Sequence, residues 1–385
     1  MKSRNGHALG GMYLISFIFG LSLAFTAYTN STFLSNIISA QYVGLLYALG
    51  SIVTLICLTH TPRLLNAIGN RKSTLVFLIL NMFSLIGLAT AENAVLVSVC
   101  FIIYLMTNNC LIYCFDIFVE HYSKKDVLGK IRGIYLTIGN AAWFIAPICA
   151  GVIIRNYGYP FVYGASLMYA FLIFFMVIFN LRHFKDRKYF HPPFEKTWRY
   201  EMHNHSIFSV TAVYFILQFF YAWMIIYMPI YLHNVIGFDW ETIGIMFTIM
   251  LSAFVILDIP LGKVADKWGE KEFLNIGLVI MAVATISIGF IHTNDLLTWI
   301  FVLFMTRVGA AIVEIMSEIY FFKKITDANA DILSIFRDTT PAAFIISPII
   351  ATILLLSIPF NYLFVVLGIV VICGLYFGLS LKDTN

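Results

Sequence analysis

Residues Leu257–Glu272 read LDIPLGKVADKWGEKE, a short polar and charged stretch set between two long apolar segments. Within it Gly262, Asp266, Gly269 and Lys271 stand at fixed spacing. Residues Leu58–Ser73 read LTHTPRLLNAIGNRKS, again between apolar segments, and at an offset of 200 they put Arg63, Asn66, Gly69 and Arg71 in the places of Lys263, Asp266, Gly269 and Lys271. A stretch that recurs at one offset, each time joining hydrophobic spans, predicts two copies of one membrane-embedded unit.

Composition sets the solvent. Of 385 residues 61% are hydrophobic, 16% aromatic and only 11% charged, which no ordinary soluble domain approaches. Apolar runs of about 18 to 25 residues, the length a helix needs to cross about 30 Å of hydrocarbon, begin near Gly11, Gln41, Thr74, Val95, Gly133 and Pro160. They begin again near Ile207, Trp240, Phe273, Leu296, Leu333 and Asn361. The expected fold is an all-α membrane protein with 12 transmembrane helices in two pseudo-symmetric six-helix bundles, counted from these runs. The expected division is residues 1–181, a cytoplasmic linker at 182–206, and residues 207–385.

Charge placement sets the orientation, because Lys and Arg near span ends stay on the cytoplasmic side. Of the 24 Lys and Arg residues, all except Arg155, Arg307 and Arg337 fall on the side of the N-terminus, so both termini are expected in the cytoplasm of a plasma (inner) membrane protein. The net charge of +4 is then a topology signal and not a nucleic-acid signature. The basic and aromatic linker is expected to rest on anionic lipid headgroups. All six cysteines lie in apolar spans without a CxxC pair and read as small core residues. The short basic start followed by an ordinary span carries no mark of a cleaved signal peptide.

The repeat extends beyond the joining stretch. In spans four and ten, LMTNNCLIYCFDIFVEHYSKK aligns with FMTRVGAAIVEIMSEIYFFKK at an offset of 199, matching Met106 and Thr107 to Met305 and Thr306. Pro147 and Pro348 align in spans five and eleven, which predicts a kink at one depth in both halves.

These features together resemble the major facilitator superfamily of secondary transporters. The family's motif runs Gly, three residues, Asp, two residues, Gly, then basic residues. Gly262, Asp266, Gly269 and Lys271 match it, whereas the first half has Pro62 for the Gly and Asn66 for the Asp. The resemblance implies the family's fold and rocking of two bundles around a central site. It also implies a conformational latch at Gly262, Asp266, Gly269 and Lys271, with Arg63, Asn66, Gly69 and Arg71 as its first-half counterpart. Glycines that end helices and an Asp266 that caps one are the plainer reading of the same residues. Ala146, Pro147, Ala150 and Gly151 resemble in part a proline and glycine motif that the family associates with antiport.

Charges inside spans mark candidate sites, since an Arg at mid-span carries a penalty of about 2.5 to 3.5 kcal/mol on insertion scales. Arg307, Glu314 and Glu318 share a helical face by spacing, and Arg337 and Asp338 of span eleven lie at a depth similar to Glu314. Three readings of this group stand side by side. A carboxylate in a low-dielectric setting takes up a proton near neutral pH, which would make Glu314 or Asp338 a coupling site. Alternatively Arg307 binds an anionic group of the substrate, or the group is a static network. The first half is charge-poor: Asn108 stands opposite Arg307, and Asp116 lies near the register of Glu314. Tyr104, Asn108, Asn109 and Asp116 in span four, with Tyr214, Gln218 and Tyr221 in span seven, are the candidate cavity residues.

No HExxH, GxSxG or GK[ST] phosphate loop occurs, nor a Cys/His cluster with metal spacing. The expectation is therefore a non-enzymatic carrier without cofactor or metal. It is expected to move a small-molecule substrate in contact with membrane lipid, with proton coupling, as a monomer and without nucleic acid. An uncoupled facilitator and an exporter of amphipathic or lipid-like compounds are the alternatives; a pore or scramblase would fail to show saturable exchange.

Overall fold

Hydrocarbon offers the backbone no hydrogen-bond partners, so an apolar run that crosses it must satisfy its own N–H and C=O groups, and it does so as a helix. The computed structural model describes residues 2–122, 128–182, 184, 204–291, 293–324 and 332–381, with side chains described at all of these except 2–9, 120, 122, 128–137, 140, 258–259, 262–268, 332–335 and 337. Its long helices are α1 (Lys2–Ala27), α2 (Ala40–Ile68), α3 (Asn70–Thr90), α4 (Ala94–Tyr122), α5 (Leu128–Tyr157), α6 (Tyr159–Asn180), α7 (His205–Ile230), α8 (Trp240–Trp268), α9 (Lys271–Ile288), α10 (Leu296–Lys324), α11 (Ile332–Leu355) and α12 (Phe360–Ser380). A short helix, Asn30–Ser35, continues α1, and a wide π-helical turn, Tyr231–Ile236, continues α7. Among the described residues no strand occurs. Among the described residues eleven helices are long and apolar enough to cross a membrane, and the apolar part of α5 is Ala141–Tyr157.

The chain forms two compact units, residues 1–191 with 239–244, and residues 192–238 with 245–385. The linker expected at 182–206 falls mostly outside the described residues, as do Lys124 and Lys125. Within the first unit α1 packs on α4, α5 and α6, while α3 packs on α4 and α6. Within the second, α7 packs on α10, α11 and α12, and α9 on α10 and α12. The same helix pairs thus recur at an interval of six helices, which is the repeat expressed as packing.

Several helices turn large apolar side chains outward. Leu45, Leu49, Ile52 and Ile56 of α2, Phe171, Phe175 and Phe179 of α6, and Ile276, Val279 and Val283 of α9 all point outward. Exposed faces as apolar as a core fit a lipid solvent. Buried faces instead carry small and polar residues that draw helices together. Ser22 of α1 and Ser166 of α6 each donate a hydroxyl to the other's carbonyl, at 3.4 and 3.2 Å. In the second unit Trp223 and Tyr227, one turn apart on α7, donate to the successive carbonyls of Ser347 and Pro348 on α11, at 2.7 and 3.2 Å.

The joining stretches are tighter than the sequence implies. Helix α8 runs through Trp268 and α9 begins at Lys271, so only Gly269 and Glu270 lie between them. In the first half Gly69 alone separates α2 from α3. Gly69 and Gly269 have φ of 88° and 83°, a conformation that side-chain-bearing residues adopt at a cost. The glycines at offset 200 therefore have a conformational reason.

Candidate functional site

Arg307 is the largest charged group buried in the described structure, at 2% exposure on α10. A guanidinium cannot shed its charge, so its surroundings must answer it. Two aromatic faces of α7 do so in part: the Arg307 guanidinium carbon lies 5.4 Å from the ring centre of Phe220 and 5.3 Å from that of Tyr221. Such contacts gain strength when water is excluded. Its Nε and Nη2 are buried and without a hydrogen-bond partner among the described residues.

Tyr221 links the cation to a carboxylate. Its ring lies beside Arg307 while its hydroxyl donates to Glu314 Oε2 at 2.7 Å, and Glu314 is half-buried two turns along α10 from Arg307. Helical spacing put Arg307 and Glu314 on one face; the structure supplies a third residue that touches both. Glu318 and Asp338 are exposed, and the Arg337 side chain lies outside the described residues. Of the five-residue charge group read from the sequence, Arg307 and Glu314 thus meet in a compact cluster through Tyr221, a candidate cavity residue, with Phe220 beside Arg307 as well.

The remaining α7 candidates are buried nearby. Tyr214 stacks on Phe336 of α11 at 4.1 Å, and Phe336 stacks in turn on Phe321 of α10 at 4.0 Å. Gln218, one turn from Tyr221, is 6% exposed. This aromatic stack joins α7, α10 and α11 two turns along α7 from Tyr221 and two turns along α10 from Glu314.

The first unit answers with neutral hydrogen bonds. Tyr104 of α4 and Thr26 of α1 share a hydrogen bond of 2.5 Å. Asn81 of α3 donates to Thr107 Oγ1 at 2.9 Å and to Asn108 Oδ1 at 3.0 Å. Tyr163 of α6 donates to Asn30 at 2.9 Å. Asn109, by contrast, is exposed and donates to the Leu105 carbonyl of its own helix, and Asp116 is half-buried. Asn81 escapes a reading of the sequence because a single amide in the run FLILNMFSL carries no spacing signal.

Gly262 and Asp266 lie on the last turns of α8, and the Asp266 side chain falls outside the described residues. Arg63 and Asn66 are exposed on the last turns of α2. Arg71 reaches the end of α6, donating to the carbonyls of Val177 and Ile178 at 3.4 and 2.9 Å, a cationic cap where the helix dipole favours one. Lys271 opens α9, and its carbonyl accepts from Asn275 at 2.9 Å. Between Gly269 and Lys271 sits a residue the motif passes over: Glu270, fully buried, pairs with Lys323 at the end of α10 at 2.6 Å. Its counterpart at offset 200, Asn70, is also fully buried and donates to the Cys114 carbonyl of α4 at 3.0 Å. The signal for both was their place directly after a positive-φ glycine.

Among the described residues no three His, Cys, Asp or Glu side chains stand close enough together to hold a metal ion. Compared with curated proteins, the sequence matches none. The family model described as Major Facilitator Superfamily matches residues 12–336 and, in a second match, residues 241–384. With nearly the whole chain matched, helices that span a membrane and a second match confined to the repeat's second half, the chain belongs to the major facilitator superfamily and is an integral membrane transporter.

Proposed function

We propose that the protein is a secondary transporter that carries a small solute by alternating access, coupled to a proton that Glu314 takes up and releases. The observation that carries this reading is the cluster in which Tyr221 lies beside the buried Arg307 and donates to Glu314. With Glu314 ionised, the cation and the carboxylate balance one another through Tyr221. Once Glu314 is protonated, Arg307 is left as an unbalanced buried charge, so the two protonation states favour different arrangements of the residues around it. The stretch holding Gly262, Asp266, Gly269 and Lys271 then serves as the conformational latch, with Arg63, Asn66, Gly69 and Arg71 as a weaker one. The charge distribution supports both termini in the cytoplasm of a plasma (inner) membrane, with residues 1–181 and 207–385 as bundles of a monomer.

A second reading is favoured by Arg307 Nε and Nη2, which are buried donors without an acceptor among the described residues. A carboxylate or phosphate on the solute would accept from both in the bidentate manner that guanidinium favours. One screen tests both readings. Purified protein is heated with organic anions, sugars, amino acids and cationic drugs at acidic and neutral pH, as wild type, Arg307→Ala and Glu314→Gln. A ligand at 100 times its Kd stabilises the folded state by about 2.7 kcal/mol, enough to read as a midpoint rise. Coupling at Glu314 requires that some ligand's effect depend on pH in the wild type and lose that dependence in Glu314→Gln. A pH dependence unchanged in that variant overturns the coupling role, and no pH dependence at all points to an uncoupled facilitator. Loss of an anion's effect in Arg307→Ala alone assigns the solute class.

A further inference from the structure

Two of the cysteines that read as core residues meet. Cys57 of α2 and Cys110 of α4 are both free thiols, with their sulfurs 3.5 Å apart in the first unit and 53 positions apart in the chain. Cys110 is fully buried, and Cys57 is half-buried. Thr61, one turn on from Cys57, donates its hydroxyl to the Cys57 carbonyl at 2.8 Å and lies 3.9 Å from the Cys110 sulfur. Cys114, one turn further along α4, is also fully buried.

Packing alone needs no sulfur at either place, since alanine or serine would let two helices approach as closely. Paired thiols add chemistry. A disulfide bond is about 2.05 Å long, so the two sulfurs, now 3.5 Å apart, need to close by about 1.5 Å to form one. The difference in exposure also assigns an order to the pair: a half-buried thiol within reach of a small oxidant, backed by a fully buried thiol in contact with it.

We propose that Cys57 and Cys110 form a dithiol oxidation site that a membrane-permeant hydroperoxide closes to a disulfide, stapling α2 to α4. Cys57 reacts first. Its sulfur attacks one peroxide oxygen, the O–O bond breaks, and with hydrogen peroxide the products are Cys57 sulfenic acid and one water. The Cys110 sulfur then attacks the Cys57 sulfur and the S–O bond breaks. The departing oxygen takes the Cys110 proton and leaves as a second water. Two thiols are oxidised and one peroxide is reduced, with no further reagent. The dithiol lies in the first unit and the Arg307 cluster in the second.

The test uses the full chain in detergent and in lipid vesicles, treated with graded hydrogen peroxide, followed by removal of the oxidant, denaturation, alkylation of the remaining thiols and peptide mass spectrometry. The expected result is loss of the Cys57 and Cys110 thiols in equal proportion and recovery of their peptides as one cross-linked species that dithiothreitol releases. Cys110→Ser should stop Cys57 at the sulfenic acid, trapped as a dimedone adduct. Cys57→Ser should leave Cys110 fully open to alkylation at the peroxide level that closes the wild-type pair. Should Cys110→Ser fail to fold, Cys57→Ser at the half-buried position carries the test alone. Over-oxidation of Cys57 with Cys110 still reduced, oxidation of Cys110 in the Cys57→Ser protein at the same peroxide level, or a cross-link through Cys114 instead would each overturn the proposal.

Discussion

Replacing Gly309 by alanine should loosen the second unit at the helix that carries Arg307. Helices α9 and α10 cross so closely there that a β-carbon on Gly309 would stand 2.5 Å from the Met281 backbone nitrogen and 2.8 Å from both the Gly277 carbonyl oxygen and the Met281 α-carbon. Ordinary carbon contacts lie at about 3.5 to 4.0 Å, so the helices must part by about 1 Å. Overpacking of this kind costs about 1 to 3 kcal/mol, and the upper figure applies because the obstacles are backbone atoms that no rotamer change removes. Alanine's better helix propensity returns about 1 kcal/mol, leaving a net loss of about 2 kcal/mol.

The control is Gly164→Ala on α6, where a β-carbon would meet nothing within 4 Å. There the propensity gain stands alone, so the midpoint should hold or rise. Thermal unfolding of the detergent-solubilised proteins should rank Gly164→Ala at or above wild type and Gly309→Ala clearly below it. Because Gly309 is two residues from Arg307, the same displacement moves the guanidinium off Phe220 and Tyr221, and any ligand that depends on Arg307 should weaken with it. A Gly309→Ala midpoint equal to wild type would mean that α9 and α10 do not touch backbone to backbone, and the packing argument would fall.

Three other outcomes follow from individual contacts. Tyr221→Phe keeps the ring beside Arg307 but deletes the 2.7 Å bond to Glu314; it should destabilise by about 1.5 to 3 kcal/mol, as for hydrogen bonds to charged groups. A double-mutant cycle with Glu314→Gln that yields no coupling would refute the contact. Lys323→Met removes the ion-pair partner of the fully buried Glu270; since Lys323 is about a third exposed, the loss should be about 2 kcal/mol, below the 3 to 5 of wholly buried pairs. Lys324→Met, which forfeits only a contact with the Tyr320 ring, should cost less than about 1 kcal/mol, and equal losses in melting comparisons would contradict the pairing. Asp295, outside the spans, caps α10 by accepting from the Thr298 hydroxyl at 2.6 Å and backbone nitrogen at 2.9 Å, bonds that hold its carboxyl below the usual carboxylate range. Its stabilisation is therefore complete above the unfolded value and is lost as pH falls through the lower, folded one. The melting gap between wild type and Asp295→Ala should close in acid, and a gap constant across that range would remove the cap.

The membrane fold was legible because a bilayer writes its demands in run length, and a helix that must cross it cannot hide. Arg307 was legible for the same reason, as a charge no apolar run tolerates without cause. Its partners were not. Phe220 and Tyr221 stand in an α7 crowded with aromatic residues, and which of them meets α10 depends on helix rotation that composition does not encode. Spacing grouped Glu318 with Glu314 correctly along one helix face, yet only Glu314 lies where a Tyr221 hydroxyl reaches it. Asn108 and Asn109 are adjacent letters with opposite fates, one buried against Asn81 and one exposed, because successive positions on a helix point about 100° apart.

Position 70 and its repeat partner 270 show what the duplication preserves. Each follows a glycine of positive φ, each is fully buried, and each reaches from the start of the third helix of its half to the fourth. Asn70 meets that need with a neutral bond to the Cys114 carbonyl, Glu270 with an ion pair to Lys323. The same division recurs deeper in the membrane, where Asn108 takes a neutral bond from Asn81 and its counterpart Arg307 sits charged between aromatic rings. Shared geometry fixes where the chain requires a polar contact, and the two halves fill those places with different chemistry. A buried neutral amide keeps one state at any physiological pH, whereas a buried charge set responds to a proton or an ion. The proposed coupling at Glu314 rests on the half that carries this charge set.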